Sequence, residues 1–242
     1  MTTPVVFLPG SLCDERVFAD QLRDIDQPSQ AADLTLDDSF VAMATRVLSE
    51  APERFAVVGL SMGCIVAAEI ARVAPERLLG MALIDFNLDA PDDVQDRTRR
   101  RWAHDVRAGH FARVVEEIGP TMTISPEAHG PLIADMARTV GPGGFLRQND
   151  ALLDRHDRRP IVSSFQHPVL ITCGRHDQLC PPRLHADLAG RVPHATFVVA
   201  EHAGHLSTID QPARLTSTIE SWLQMCKNHQ PRRVNCYEYN NA

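Results

Sequence analysis

Short apolar runs closed by turn residues recur along this chain, and stretches with a helical apolar period lie between them. "VVFLPG" (Val5–Gly10) is four strand-formers ended by Pro-Gly, the pattern of a buried parallel strand. "RFAVVG" (54–59), "LLGMALID" (78–85), "HPVLITCG" (167–174) and "ATFVVA" (195–200) repeat it, and Gln30–Leu34 predicts a shorter strand. Asp14 is placed to cap a helix running to about Arg23. Ser39 precedes Phe40, Met43, Ala44, Val47 and Leu48, which follow the i, i+3, i+4, i+7, i+8 spacing of one helix face. In "MGCIVAAEIARVA" (62–74) only Glu69 and Arg72 break the apolar surface, so that helix is expected to be buried nearly all round. A helix follows Pro181-Pro182, and a last one carries Leu215, Ile219, Trp222 and Leu223 on one face.

Strands alternating with helices predict an α/β fold: a mostly parallel sheet of about six strands with helices on both faces. Phe86–Gln166 interrupts the alternation. It has no strand signal and four amphipathic helical stretches, near 93–107, 110–118, 127–139 and 145–155. The expected organisation is a core of 1–85 and 167–225, a helical cap inserted at 86–166, and a polar, aperiodic tail at 226–242 expected to be flexible.

Composition narrows the class. At 242 residues and 44% hydrophobic content, one domain with a sizeable core is the default. A net charge of −7 argues against the basic face of a nucleic-acid binder. No stretch approaches a membrane span, and "MTTPVVFLPG" lacks the basic start of a signal peptide. Cys13, Cys64, Cys173, Cys180, Cys226 and Cys236 form no C-x-x-C pair. They read as reduced thiols of a cytoplasmic protein, with no metal site expected. The implied partner is a small molecule, with no nucleic acid and no membrane, and with monomer and homodimer both open.

The chemistry centres on "FAVVGLSMGC" (55–64). A strand, then Gly59-Leu60-Ser61-Met62-Gly63, then a helix is the nucleophile-elbow arrangement, which lifts the serine hydroxyl clear of the sheet. The five-residue pattern is weak alone; the strand before it and the helix after it give it weight. A serine needs a base to take its proton and a third group to orient that base. "EHAGHLSTIDQP" supplies His205, the best placed of eleven histidines, and "CGRHDQLCPP" supplies Asp177. Asp85 also ends a strand and rivals Asp177 as the acid. Ser61, Asp177 and His205 all follow strand ends, so a parallel sheet would open them on one rim. An oxyanion hole would draw on the backbone N–H of Met62 and on the loop "LPGSLCD", through Ser11 or, one residue on, Leu12.

Together "FLPGSLCDERVF", "DLTLDDSF", "VVGLSMG", "LIDFN", "FLRQNDAL", "CGRHDQLCPP" and "GHLSTIDQP" resemble the α/β-hydrolase superfamily, and the first four and last two blocks are similar to small bacterial carboxylesterases and methyl-esterases. The resemblance implies Ser61 as nucleophile, Asp177 as acid, His205 as base, and Ser11 and Met62 as oxyanion donors. Two positions depart from it: Pro9-Gly10 stands for the usual His-Gly, and Cys64 for a glycine common after the elbow. The expected activity is cofactor-free cleavage of a small carboxylic ester through an acyl-enzyme. The same triad on this fold also serves thioesters, lactones, carbon–carbon bonds, lyases and cofactor-free peroxidases, and a non-catalytic ligand-binding protein is the remaining alternative. Leu12, Phe86, Gln148 and Leu206 are the candidate substrate contacts. Arg97, Arg99, Arg100 and Arg101 fan round a cap helix, so most of them are expected in solvent.

Overall fold

Side chains alternate across a β-strand, so a strand buried on both faces must be apolar at every position. β1 (Val5–Leu8) is such a strand: Val5 and Phe7 enter one core, Val6 and Leu8 the other. The same holds for β3 (Phe55–Leu60) and β5 (Val169–Gly174), buried throughout, and nearly so for β4 (Leu78–Ile84). β2 (Ser29–Ala31) and β6 (Ala195–Ala200) are the less buried edges. The structure is a computed structural model that describes residues 2–192 and 194–229. Its six strands run β2-β1-β3-β4-β5-β6, with every pairing parallel.

Helices cover both faces. A 3-10 turn capped by Asp14 leads into α1 (Ala19–Asp24). Ser39 caps α2 (Phe40–Glu50) by accepting the N–H of Ala42. α3 (Met62–Val73) is buried from Met62 to Ala71, including Glu69, as its composition predicts. Burying that carboxylate requires counter-charges. Arg72 Nη2 lies 2.5 Å away and Arg158 Nη2 3.0 Å away.

Between β4 and β5 the chain forms a helical cap: α4 (Asp93–Arg107), α5 (Phe111–Ile118), α6 (Pro126–Leu153) and α7 (Arg159–Ser164). The two expected helices near 127–139 and 145–155 are the two arms of α6, parted at Gly141, whose φ of 67° leaves the helical region before Pro142. α7 was not expected; its Val162 joins the core beneath α3, so the end of the insertion packs with the sheet layers. α8 (Pro182–Ala189) follows β5; α9 (Ser207–Asp210) and α10 (Pro212–Asn228) follow β6. α10 continues to Asn228 with Cys226 buried, so the expected tail begins later than residue 226. The rest of that tail, from residue 230 with Cys236, lies outside the described residues. Cys13, Cys64, Cys173, Cys180 and Cys226 are buried free thiols. No helix among the described residues is long and apolar enough to cross a membrane.

β1 connects to β2 on one side and β3 lies on its other side, so the strand order reverses at β1/β3. In open α/β sheets ligands bind in the crevice beyond the strand ends at such a reversal.

Candidate active site

Among the described residues three that are not glycine adopt positive φ, and each follows a strand of the central sheet: Leu12 (62°) beyond β1, Ser61 (51°) after β3 and Asp85 (50°) after β4. Such residues cost on the order of 1–3 kcal/mol each and persist where surrounding structure holds them. At the elbow two glycines allow this geometry. A Cβ on Gly59 would lie 2.7 Å from Gly63 C and Cys64 N, and one on Gly63 would lie 2.6 Å from the Leu8 carbonyl carbon. Cys64, where the resemblance leads one to expect glycine, turns its Sγ to the Gly59 carbonyl at 3.0 Å and is fully buried. Burial pushes that thiol well up, so it packs as a neutral group.

The elbow points Ser61 at His205. Ser61 Oγ is 2.9 Å from His205 Nε2, and His205 Nδ1 is 2.9 Å from Asp177 Oδ2. With Nδ1–H donating to the carboxylate, Nε2 is left to accept from the hydroxyl. Asp177 Oδ1 accepts the N–H groups of Leu179 and Cys180, each at 2.8 Å. Burial opposes charge on Asp177, yet the His205 charge and these hydrogen bonds hold its carboxyl below the usual range. Burial likewise opposes charge on His205, and the Asp177 carboxylate overrides it, raising the imidazole well above its ordinary value. The ligand atoms of Asp177, Cys180 and His205 lie within 4.8 Å of one another, the one group among the described residues with metal-ligand spacing. Both His205 nitrogens are already engaged by Asp177 and Ser61, which suits a proton relay better than metal ligation.

Asp85, the rival acid, does not reach the imidazole. Its Oδ1 accepts the N–H of Gly174 at 2.8 Å; its Oδ2 accepts Ser207 N–H at 3.0 Å and Ser207 Oγ–H at 2.5 Å. It ties the end of β5, before Asp177, to the turn after His205. Burial, then the Asp177 carboxylate, push it up to about 7. The same two loops touch at Gly174, where a Cβ would meet Ala203 O at 2.5 Å.

The loop after β1 lies against the serine: a Cβ on Gly10 would be 3.4 Å from Ser61 Cβ. Among the described residues neither Ser11 N–H nor Met62 N–H donates to a protein acceptor. Leu12 N–H, the alternative donor, is taken by Gln148 Oε1 at 3.0 Å. Oriented, unspent N–H groups beside a hydroxyl are suited to a developing oxyanion.

Ser11, Leu12, Ser61 and His205 line a cavity of about 220 Å³ whose apolar wall includes Trp102, Met122 and Phe145. Of the four candidate substrate contacts, only Leu12 lines it. Phe86 is buried in the core, edge-on to His185 at 4.4 Å between ring centroids. Gln148 is fully buried and spends its amide on Leu12, Ser11 and the Leu34 carbonyl. Leu206 is fully buried with its N–H on Met122 O. Phe86 and Leu206 fall on the core side of the loops after β4 and β6, and Gln148, on α6, is turned to the backbone of Leu12 and Leu34. Arg97 and Arg100 are exposed as expected, and Arg101 pairs with Glu117 at 2.5 Å. Arg99 is the exception and lines the cavity, joined by Arg155, which the helical periodicity did not single out.

A family model described as the alpha/beta hydrolase family matches residues 5–218, and the chain belongs to that family. It is 24% identical over 201 residues to a pimeloyl-[acyl-carrier protein] methyl ester esterase of Aliivibrio salmonicida (strain LFI1238), covering 76% of this chain and 74% of that one. It is 29% identical over 205 residues to a putative carbamate hydrolase RutD of Pseudomonas savastanoi pv. phaseolicola, covering 79% and 78%. Among solved structures, a malate-bound thermophilic esterase from Thermogutta terrifontis aligns with a TM-score of 0.84 at 25% identity, over 93% of this chain and 91% of that one.

Proposed function

We propose that this chain is a serine hydrolase of small carboxylic esters that works through an acyl-enzyme. The observation that carries the reading is the Ser61–His205–Asp177 chain of 2.9 Å contacts opening into the cavity. Ser61 Oγ attacks the ester carbonyl as its proton passes to His205 Nε2. Asp177 holds the ring by Nδ1 and stabilises the imidazolium that forms. The N–H groups of Ser11 and Met62 receive the oxyanion. His205 protonates the leaving alcohol, then takes a proton from the water that releases the acid. The relatives named as a methyl ester esterase and a thermophilic esterase support an ester over the other bonds this fold can cleave. The buried free thiols favour a reducing, cytoplasmic setting.

The test is a panel of activated esters and thioesters of graded chain length, run on the parent and on Ser61→Ala. The parent turns over short esters, and the variant falls by roughly 10⁶-fold while keeping its fold. A Ser61→Ala protein within tenfold of the parent would remove the reading, as would failure of folded parent to be labelled at Ser61 by a serine-directed phosphonate.

A further inference from the structure

Two guanidinium groups line the cavity that holds Ser61, and among the described residues no carboxylate lines it. Arg99 comes from α4. Arg155 comes from the turn after α6 and is only 6% exposed. Its Nε donates to the Asp89 carbonyl at 2.8 Å and its Nη2 to Gln95 Oε1, both neutral acceptors. Among the described residues the Arg99 guanidinium has a single hydrogen-bond partner, the Asn149 side-chain oxygen, at a long 3.4 Å from Nη1. Among the described residues neither arginine forms an ion pair. The contrast with their neighbours is sharp: Arg100 pairs with Asp96 at 2.7 Å, Arg101 with Glu117 at 2.5 Å and Arg159 with Asp89 at 2.9 Å.

Desolvated cations without counter-charge are costly, and two together repel. The cost is visible on Arg99, which burial and then the Arg155 charge push down to about 10. It remains a cation at neutral pH. An anion entering the cavity would offset both penalties. The planar forks of two arginines suit a carboxylate, which accepts paired N–H bonds. The cavity, of about 220 Å³, leaves room for a short chain between the arginines and Ser61.

We propose that the substrate carries a second, free carboxylate that docks on Arg99 and Arg155 while its ester carbonyl meets Ser61: a hemiester of a short dicarboxylic acid. This rests on the ester-hydrolase reading of Ser61 for the bond cleaved. The anion site itself does not.

The experiment compares monomethyl and dimethyl esters of succinate, glutarate and adipate, which share a carbon frame and differ in charge. In the parent, kcat/KM for the best hemiester exceeds that for its diester by about tenfold or more, the worth of one charge-assisted hydrogen-bond pair. In Arg99→Gln the ratio falls towards one. In Arg97→Gln, an exposed position on the same helix, the ratio is unchanged. Calorimetry of the free dicarboxylates with Ser61→Ala reads the site without turnover: binding weakens about tenfold or more in Arg99→Gln and also at raised salt. A parent that prefers the diester, or a preference that survives Arg99→Gln, overturns the proposal. Ser61-dependent cleavage of diesters with no dicarboxylate binding sinks the anion site and leaves the esterase reading standing. Arg99-dependent dicarboxylate binding with no ester turned over does the reverse.

Discussion

Gln148 Oε1 accepts the backbone N–H of Leu12 at 3.0 Å, joining the cap to the loop beyond β1 across 136 positions of chain. The same oxygen lies 3.2 Å from Ser11 Oγ, and Gln148 Nε2 donates to Leu34 O at 3.3 Å. The contact consumes Leu12 N–H, holds Leu12 at its positive φ and leaves Ser11 N–H unspent beside Ser61. Gln148→Leu strands a buried N–H and should cost about 1–3 kcal/mol in denaturant unfolding. It should also lower kcat by up to about 10²-fold, as a displaced oxyanion donor does. A stable, fully active Gln148→Leu protein would mean that the loop positions itself.

Asp177 raises His205 above the ordinary imidazole value, and only the neutral ring can take the Ser61 proton. Activity therefore rises with pH through that elevated pKa. Asp177→Asn removes the charge that raises it, so the acid limb of kcat/KM moves to lower pH while kcat falls by roughly 10⁴-fold. A pH–rate profile of both proteins checks the pair of effects, and an unmoved limb would assign the shift to some other group.

Gly63 has no room for a methyl group: its Cβ would press on the Leu8 carbonyl in β1. Gly63→Ala should destabilise by about 3 kcal/mol or fail to fold, since backbone on both sides must give way. Gly130 supplies the contrast. It lies within α6 and a Cβ there meets nothing within 4 Å. Pro131 follows it, and a Cβ before proline disfavours helical backbone, which offsets the usual gain of alanine over glycine. Gly130→Ala should therefore stay within about 0.5 kcal/mol of the parent, and thermal melts of the two variants against the parent test the contrast.

His185 is fully buried, and its Nε2 accepts the N–H of Phe86 at 2.8 Å, which requires an unprotonated nitrogen. Burial lowers its pKa to about 4. The unfolded chain binds that proton near pH 6.5 and the folded chain only near 4, so this group makes stability rise with pH between the two, by roughly 3 kcal/mol in all. Asp85, raised to about 7, acts in the opposite sense over the same range. The measurement is thus the difference in slope between the parent and His185→Gln, from denaturant midpoints at pH 5 and pH 7.5. Parallel slopes would exclude His185 as the source.

Much of the architecture was legible because its signals are local. A strand buried on both faces must be apolar throughout, so β1, β3, β4 and β5 stand out as runs. Ser39 and Asp14 mark helix starts because a cap acts within three residues. The two arms of α6 are legible as two helices because Gly141 and Pro142 part them. α7 is not legible in the sequence, since six residues beginning Arg-Pro carry too little periodicity to mark a helix. The lining of the cavity is the least legible part. Phe86, Gln148 and Leu206 adjoin or face the right loops in the chain, yet packing turns them inward.

The chain's own order of residues determined the alternating sheet, the strained serine between two glycines and the hydroxyl and imidazole that meet at the rim, since each depends on spacing over a few positions or on chain order in a parallel sheet. Only the tertiary structure separates Asp177 from Asp85, because both follow strands and the difference lies in which carboxylate reaches His205 Nδ1 and which is spent on Gly174 and Ser207. It also decided which arginine of a basic helix turns inward. Periodicity specifies that a helix has faces, and the packing of the cap against the rim selects the one that meets the cavity.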